Sequence, residues 1–175
     1  LPFCESLCTF CACHKRITKQ HNVETPYIEA VCKEWEMYLK LFGKKPRIKE
    51  LHLGGGTPTF FSPENLKFLL EYIFSKSTIA EDPGFSFEGH PNNTTKAHLE
   101  ILYSLGFRRV SFGVQDYNLK VQKTINRIQP FENVERVTTW ARQIGYKSIS
   151  HDLVFGLPHQ NWETMKTTMQ KTNIL

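Results

Sequence analysis

Apolar residues recur along this chain with two alternating periods. Four short runs rich in branched or aromatic side chains, RIKELHL (47–53), GFSFEGH (84–90), RRVSFGVQ (108–115) and KSISHDLVFGL (147–157), each lead into Gly, Pro or polar turn residues and predict strands. Helical spacing lies between them. Thr25-Pro26 predicts an N-cap and first-turn proline, after which Ile28, Val31, Cys32, Trp35, Leu39 and Phe42 share a face and Gly43 stops the helix. Ser62-Pro63 repeats the start signal before Leu66, Leu69, Leu70, Ile73 and Phe74. A third helix begins at Thr94 or Thr95 and carries Leu99, Leu102 and Leu105 up to Gly106. Val134, Val137, Ala141 and Ile144 form a fourth that closes at Gly145, and a fifth starts near Asn161. Helix and strand alternate with no hairpin signal, so the class is α/β with parallel strands and right-handed crossovers. An open doubly wound sheet and part of a β/α barrel both fit. No linker interrupts residues 1–175, which predicts one domain.

Composition narrows the class. The 175 residues are 40% hydrophobic with ordinary charge density, as expected of a globular chain with one sizeable core. No apolar run approaches the roughly 20 residues of a membrane span. The chain opens on Leu1-Pro2-Phe3 and ends inside a helical pattern, so a piece of something longer is expected. The net charge of +5 comes from 22 basic and 17 acidic residues. Part of the excess lies in HKRITKQH (14–21), and no long basic stripe follows it. A local attraction for an anionic small molecule accounts for this better than a nucleic-acid footprint.

In α/β proteins ligands collect at the carboxyl ends of parallel strands. Those ends carry GGGTP (54–58), then Glu88 with His90-Pro91, then Gln115-Asp116, then Asp152 before GLP. GGGTP is neither the dinucleotide fingerprint nor a P-loop. It suits a sharp turn, and equally a backbone that approaches a ligand closely. Asp116 suits a turn or cap as well as a ligand. Cys32 on the apolar helix face reads as a core thiol, and His52 and His98 as strand and surface residues.

The remaining chemistry is in CESLCTFCAC (4–13), where four of five cysteines fall within ten positions. Neighbouring thiols pair poorly across such short loops, so metal ligation in a reducing compartment is the better reading. Cys4, Cys8 and Cys11 follow C-x3-C-x2-C, with Cys13 two residues on. A structural zinc site usually needs a second pair, although His14 is available as a ligand. Thiolates on one compact loop with Phe10 among them suit an iron–sulfur cluster, and three of them would leave one iron of a cubane open. By spacing, Cys13 is a candidate fourth ligand.

This loop, followed by a strand that ends in GGGTP, resembles the radical S-adenosylmethionine (SAM) superfamily. PFCESLCTFCAC, LHLGGGTPT, SFGVQDYN, INR and HDLVFGLP together resemble its family of oxygen-independent coproporphyrinogen III oxidases, from Leu1 to about Trp162. The resemblance implies a partial (β/α)6 radical-SAM barrel, of which about four strands and their helices are present. The radical SAM core domain would span 1–175, incomplete at both ends, with the C-terminal substrate domain absent. The Tyr-x-His usual before PFC is missing, and EGHP (88–91) departs from many members.

By the same resemblance, Cys4, Cys8 and Cys11 hold a [4Fe–4S] cluster whose fourth iron takes SAM, and two SAM molecules are expected. Gly55, Gly56 and Thr57 would meet the methionine part and Phe10 the adenine. Glu88, Gln115 and Asp152 suit ribose or amino-group hydrogen bonds. Arg127, on a segment read as helical, suits the methionine carboxylate. Cys13 becomes a non-ligand needed for activity. The implied reaction turns two propionates of coproporphyrinogen III into vinyl groups, giving protoporphyrinogen IX for haem. A 5′-deoxyadenosyl radical takes a hydrogen atom, and CO2 and an electron are lost. A cytoplasmic enzyme with a separate electron donor follows, with no nucleic-acid partner. The basic HKR would draw in substrate carboxylates. Two alternatives remain at this point: a related haem chaperone, against which Cys13 argues, and a zinc-binding structural or nucleic-acid module.

Overall fold

Alternation along the strands decides which face of the sheet meets the helices. Phe85, Phe87, Val110 and Phe112 are at most 2% exposed, while Ser86, Glu88, Ser111 and Asp152, of opposite parity, stay accessible to solvent. The computed structural model describes residues 1–175. Two two-residue strands, β1 (Phe3–Cys4) and β2 (Arg16–Ile17), pair in parallel near the start. There follow α1 (Glu24–Phe42), β3 (Arg47–Leu53), α2 (Pro63–Ser75), β4 (Thr78–Gly89), α3 (Lys96–Ser104) and β5 (Arg109–Gln115). The chain continues with α4 (Leu119–Thr124), α5 (Phe131–Ile144), β6 (Ser148–Leu153) and α6 (Trp162–Asn173).

Strands β3, β4, β5 and β6 form one parallel sheet in sequence order. A doubly wound sheet reverses its order at a switch point. This one does not: α1, α2, α3 and α5 pack side by side in succession, over one face. The winding is that of a β/α barrel, with the polar face where a barrel's interior would be. Leu66, Leu69, Leu70, Leu99, Leu102, Val137 and Ala141 fill the core beneath the helices, as the periodicity predicts, and Cys32 joins them at 7% exposure. Burial pushes its thiol up. No helix is long and apolar enough to cross a membrane.

Three helix starts agree with the sequence reading: Ser62, Thr95 and Asn161 each accept a backbone N–H as N-cap. Thr25 does not cap α1. That helix begins at Glu24 behind a single 3-10 turn, His21–Val23, and no side chain caps it. Glu24 turns inward instead, 2% exposed. Its carboxylate accepts from the Ser62 N–H (2.8 Å) and the Asn65 amide (2.7 Å), and bonds the His21 ring (2.7 Å).

His98 is not the surface residue expected. It is 4% exposed. Its Nδ1 accepts from the Thr95 N–H (3.1 Å), so Nε2 carries the proton donated to the Phe61 carbonyl (2.8 Å). Burial holds it neutral by lowering its pKa. His151 is lowered likewise by burial, then by Arg142, and burial takes His90 from the ordinary 6.5 to about 3, with Arg127 adding to it. The unfolded chain takes up these protons once pH falls below 6.5, whereas the folded chain does not. This contribution is therefore full above 6.5 and is lost as pH falls, down to about 3 for His90, with His98 and His151 acting in the same direction. Urea midpoints over this range should fall in wild type and fall less in His98→Gln; equal slopes would remove His98 from the account.

Candidate functional site

The carboxyl end of β3 becomes the Gly54–Pro58 turn, and its glycines are required by the chain's own backbone. A Cβ on Gly56 would lie 2.7 Å from the carbonyl carbon of Pro2, and Gly55 has φ +111° with Leu1 O 3.0 Å from its Cβ position. The close approach is sealed by hydrogen bonds from Gly56 N–H to Leu1 O (2.8 Å) and Thr57 N–H to Phe3 O (2.9 Å). These two N–H groups are therefore occupied by the chain itself. The turn instead pins β1, and with it Cys4, whose Sγ lies 3.3 Å from the Thr57 hydroxyl.

From Cys4 the chain loops out and returns through β2. Cys4, Cys8 and Cys11 are half-buried, Cys13 is exposed, and none is in a disulfide. Burial raises the Cys4 thiol, partly opposed by its bond to Thr57. Burial also pushes Cys11 up, but hydrogen bonds from Cys13 and the Lys15 charge outweigh it, so Cys11 sits below the ordinary thiol range. Hydrogen bonding to Cys11 and its charge raise Cys13. The Lys15 ammonium turns back onto the loop, donating to Cys11 O at 2.6 Å and Cys13 O at 3.5 Å. Its charge therefore sits beside the cysteine loop, close to the strand-end cavity. Phe10 packs on a small second core of Val121, Ile125 and Leu157.

The other strand ends converge on this loop. Glu88 faces the polar side of β4, where His52 on β3 bonds Ser86 Oγ (2.8 Å) and Glu88 Oε1 (3.3 Å). His52 is thus a strand residue, as expected, and one that orients Glu88. Gln115 ends β5 at a register shift against β6, with φ +67°, a conformation rare outside glycine and typical of functional positions. Asp152 accepts from Ser111 Oγ at 2.7 Å. Arg127 lies in the coil beyond α4 and not on a helix. Its Nη2 donates to Gly113 O (2.6 Å) and its Nη1 approaches Cys8 Sγ (3.6 Å). Its Nε–H is buried without a partner in the protein.

Asp116 points the other way and is fully buried. It accepts from Asn118 N–H, Thr168 Oγ and Gln160 Nε2, so it is the turn residue of the two options left open.

One cavity of about 200 Å³ gathers Phe10, Cys11, Cys13, Gly55, Gly56, Thr57, Glu88, Gln115, Arg127 and Asp152. Cys4 lines an adjoining hollow with Thr57 and His90, and Cys8 sits against Arg127. Pro58 and His90, noted at the strand ends but given no role, also line it. Gly89 and Gly113 were missed, because a glycine inside a strand carries no side chain to mark a cavity wall.

The family model of the radical SAM superfamily matches residues 1–172. The chain belongs to that superfamily. Among its radical SAM relatives, the oxygen-independent coproporphyrinogen III oxidases of Helicobacter pylori (strain J99) and Synechocystis sp. are 42% and 39% identical, over 97% and 98% of this chain. The chain spans 37% of the length of each. The solved Escherichia coli coproporphyrinogen III oxidase, described as a radical SAM enzyme, superposes with a TM-score of 0.92 at 35% identity, covering 98% of this chain and 39% of that one. A radical SAM methyltransferase from Kitasatospora setae, with cobalamin and a [4Fe–4S] cluster bound, superposes at 0.65 and 15% identity, a likeness of fold alone.

The cofactors of a radical SAM domain are a [4Fe–4S] cluster and SAM, and the loop's donors fit them. No three Cys, His, Asp or Glu side chains converge closely enough for a single ion. A tetrahedral zinc would draw its thiolates to about 3.8 Å from one another, whereas a cubane puts each thiolate on a different iron, further apart. The unpartnered Arg127 Nε–H suits an anionic group beside that loop.

Proposed function

We propose that this chain is the radical SAM core domain of an oxygen-independent coproporphyrinogen III oxidase, converting coproporphyrinogen III to protoporphyrinogen IX in haem formation. The observation that carries this reading is the placement of Cys13. It lines the same cavity as Cys11, Glu88, Gln115, Arg127 and Asp152, in a chain 34–42% identical to proteins of that name.

When bound, a cluster and SAM would supply the radical chemistry that oxidative decarboxylation of a propionate requires, with an external electron acceptor taking up the electron released with CO2. Cys4, Cys8 and Cys11 would ligate three irons. Thr57 steadies Cys4 through its hydroxyl, and Lys15 neutralises the carbonyl side of the loop at Cys11. Arg127 would hold the SAM carboxylate with the edge that lacks a protein partner. Glu88, oriented by His52, and Asp152, oriented by Ser111, would accept hydrogen bonds from ribose or amino groups, and Gln115 would complete them. Phe10, seated on its small core, would lie against the adenine.

The test is an anaerobic assay of the full-length polypeptide with cluster, SAM, reductant and coproporphyrinogen III. Protoporphyrinogen IX and CO2 are expected, with methionine and 5′-deoxyadenosine released. SAM cleavage with no tetrapyrrole product would overturn the substrate while leaving the family intact.

A further inference from the structure

The turn that follows α4 reaches across the fold to the cysteine loop. Ile125 O accepts from Thr9 N–H at 3.0 Å, and Thr124 O from the Thr9 hydroxyl at 3.3 Å. The Asn126 amide donates to Leu7 O at 2.8 Å, and Arg127 Nη1 meets Cys8 Sγ at 3.6 Å. These contacts bracket Cys8, with Leu7 on one side and Thr9 on the other. Within the loop itself, Cys11 N–H to Cys8 O (3.2 Å) and the Lys15 bonds add little that ties Cys8 to the sheet.

The turn is itself held rigidly. Val121 and Ile125 are at most 1% exposed, in the small core that also seats Phe10. Asn118 caps α4 through its Lys120 and Val121 N–H groups. Gln122 ties the turn down by donating to Asp116 O (2.9 Å) and Gln129 O (2.8 Å) and accepting from Gln129 N–H (3.0 Å). Asn126 has φ +53°, a left-handed backbone that asparagine tolerates better than most residues and that aims its amide at Leu7.

We propose that the Thr124–Arg127 turn is a latch for the cysteine loop, with Asn126 the positioning residue that holds Cys8 where a cluster needs it. The latch rests on the reading of Cys8 as a ligand. A loop held in place before metal arrives spends no conformational entropy on ordering when it binds, and releases metal more slowly. Glycine at 126 keeps the left-handed turn and removes the amide. Aspartate also tolerates that backbone, but sets a carboxylate against the Leu7 carbonyl.

The experiment follows iron loss to a ferrous chelator from the full-length, cluster-loaded polypeptide under anaerobic conditions, beside amide hydrogen exchange of the metal-free form. Asn126→Gly is expected to lose iron about fivefold faster than wild type, the scale of one neutral hydrogen bond, and Asn126→Asp faster still. The Thr9 amide should exchange faster in both variants while β4 and β5 amides stay unchanged. Wild-type iron loss and Thr9 exchange in Asn126→Gly would overturn the latch, whether or not the aspartate variant folds. Cys8→Ala separates the two ideas: retention of a full cluster there would overturn Cys8 as ligand, while its loss beside a normal Asn126→Gly would overturn the latch alone.

Discussion

Replacing Cys13 by serine is expected to leave iron and sulfide at wild-type levels and to reduce protoporphyrinogen formation on the order of a hundredfold or more, the scale of a positioned hydrogen-transferring group. Cys13 is the exposed member of the four, and it opens on the cavity that Arg127 and Gln115 share. Cys4 and Cys8 are held from behind by Thr57 and Arg127, whereas Cys13 is held only through its neighbours Cys11 and Lys15. A side chain so placed can reach a bound substrate without being needed to assemble a cluster. Iron assay and product assay on the same preparation decide between roles. Loss of iron would make Cys13 a ligand, and full activity would remove it from the chemistry.

Gly56→Ala is expected to cost stability and cluster together. The added methyl would meet Pro2 C, Pro2 O and Phe3 O at 2.7, 2.8 and 2.9 Å, all backbone atoms that no rotamer change can move. Relief requires β1 to leave the turn, breaking the hydrogen bonds of Gly56 and Thr57 and displacing Cys4. Overpacking of this kind costs roughly 1–3 kcal/mol before any lost hydrogen bond is counted. Gly43→Ala is the control, since nothing lies within 4 Å of its Cβ position and only its φ of +64° opposes the change. Denaturant midpoints should place Gly56→Ala below Gly43→Ala, with iron content lowered only in the former. Equal midpoints would mean that the turn yields to the methyl.

The sheet was legible in the sequence because its strands alternate apolar and polar positions over a helix-covered face. Boundaries failed where chemistry misled. β4 begins at Thr78 and not near 84, since Asp82-Pro83 reads as a turn. The strand tolerates Pro83 because it lies in the irregular stretch between the Ile79 and Gly84 pairings with β3 and before β5 pairing begins at Ser86. α4 is too short to show a period, so the sequence does not mark where the helix ends before Arg127. The cavity residues were legible because parallel strands deliver their C-terminal ends to one place. What the sequence hides is the long-range work: His98 bonding Phe61, Glu24 bonding Asn65, and Asn126 reaching Leu7 across 119 positions. Those pairings depend on the finished fold, and no local pattern encodes them. The reason for Gly56 is hidden likewise, because glycine at a turn looks the same whether a ligand or the chain itself comes close.

The central claim is that three cysteines leave one iron open towards the cavity of Arg127, Glu88, Gln115 and Asp152. The measurement that tests it most directly is the electron paramagnetic resonance spectrum of the reduced full-length protein, recorded anaerobically with and without SAM. A cubane signal that changes on SAM addition, and changes much less in Arg127→Ala at the same SAM concentration, is the expected result. A preparation holding zinc without sulfide, or a cluster signal that saturating SAM leaves untouched, would contradict it.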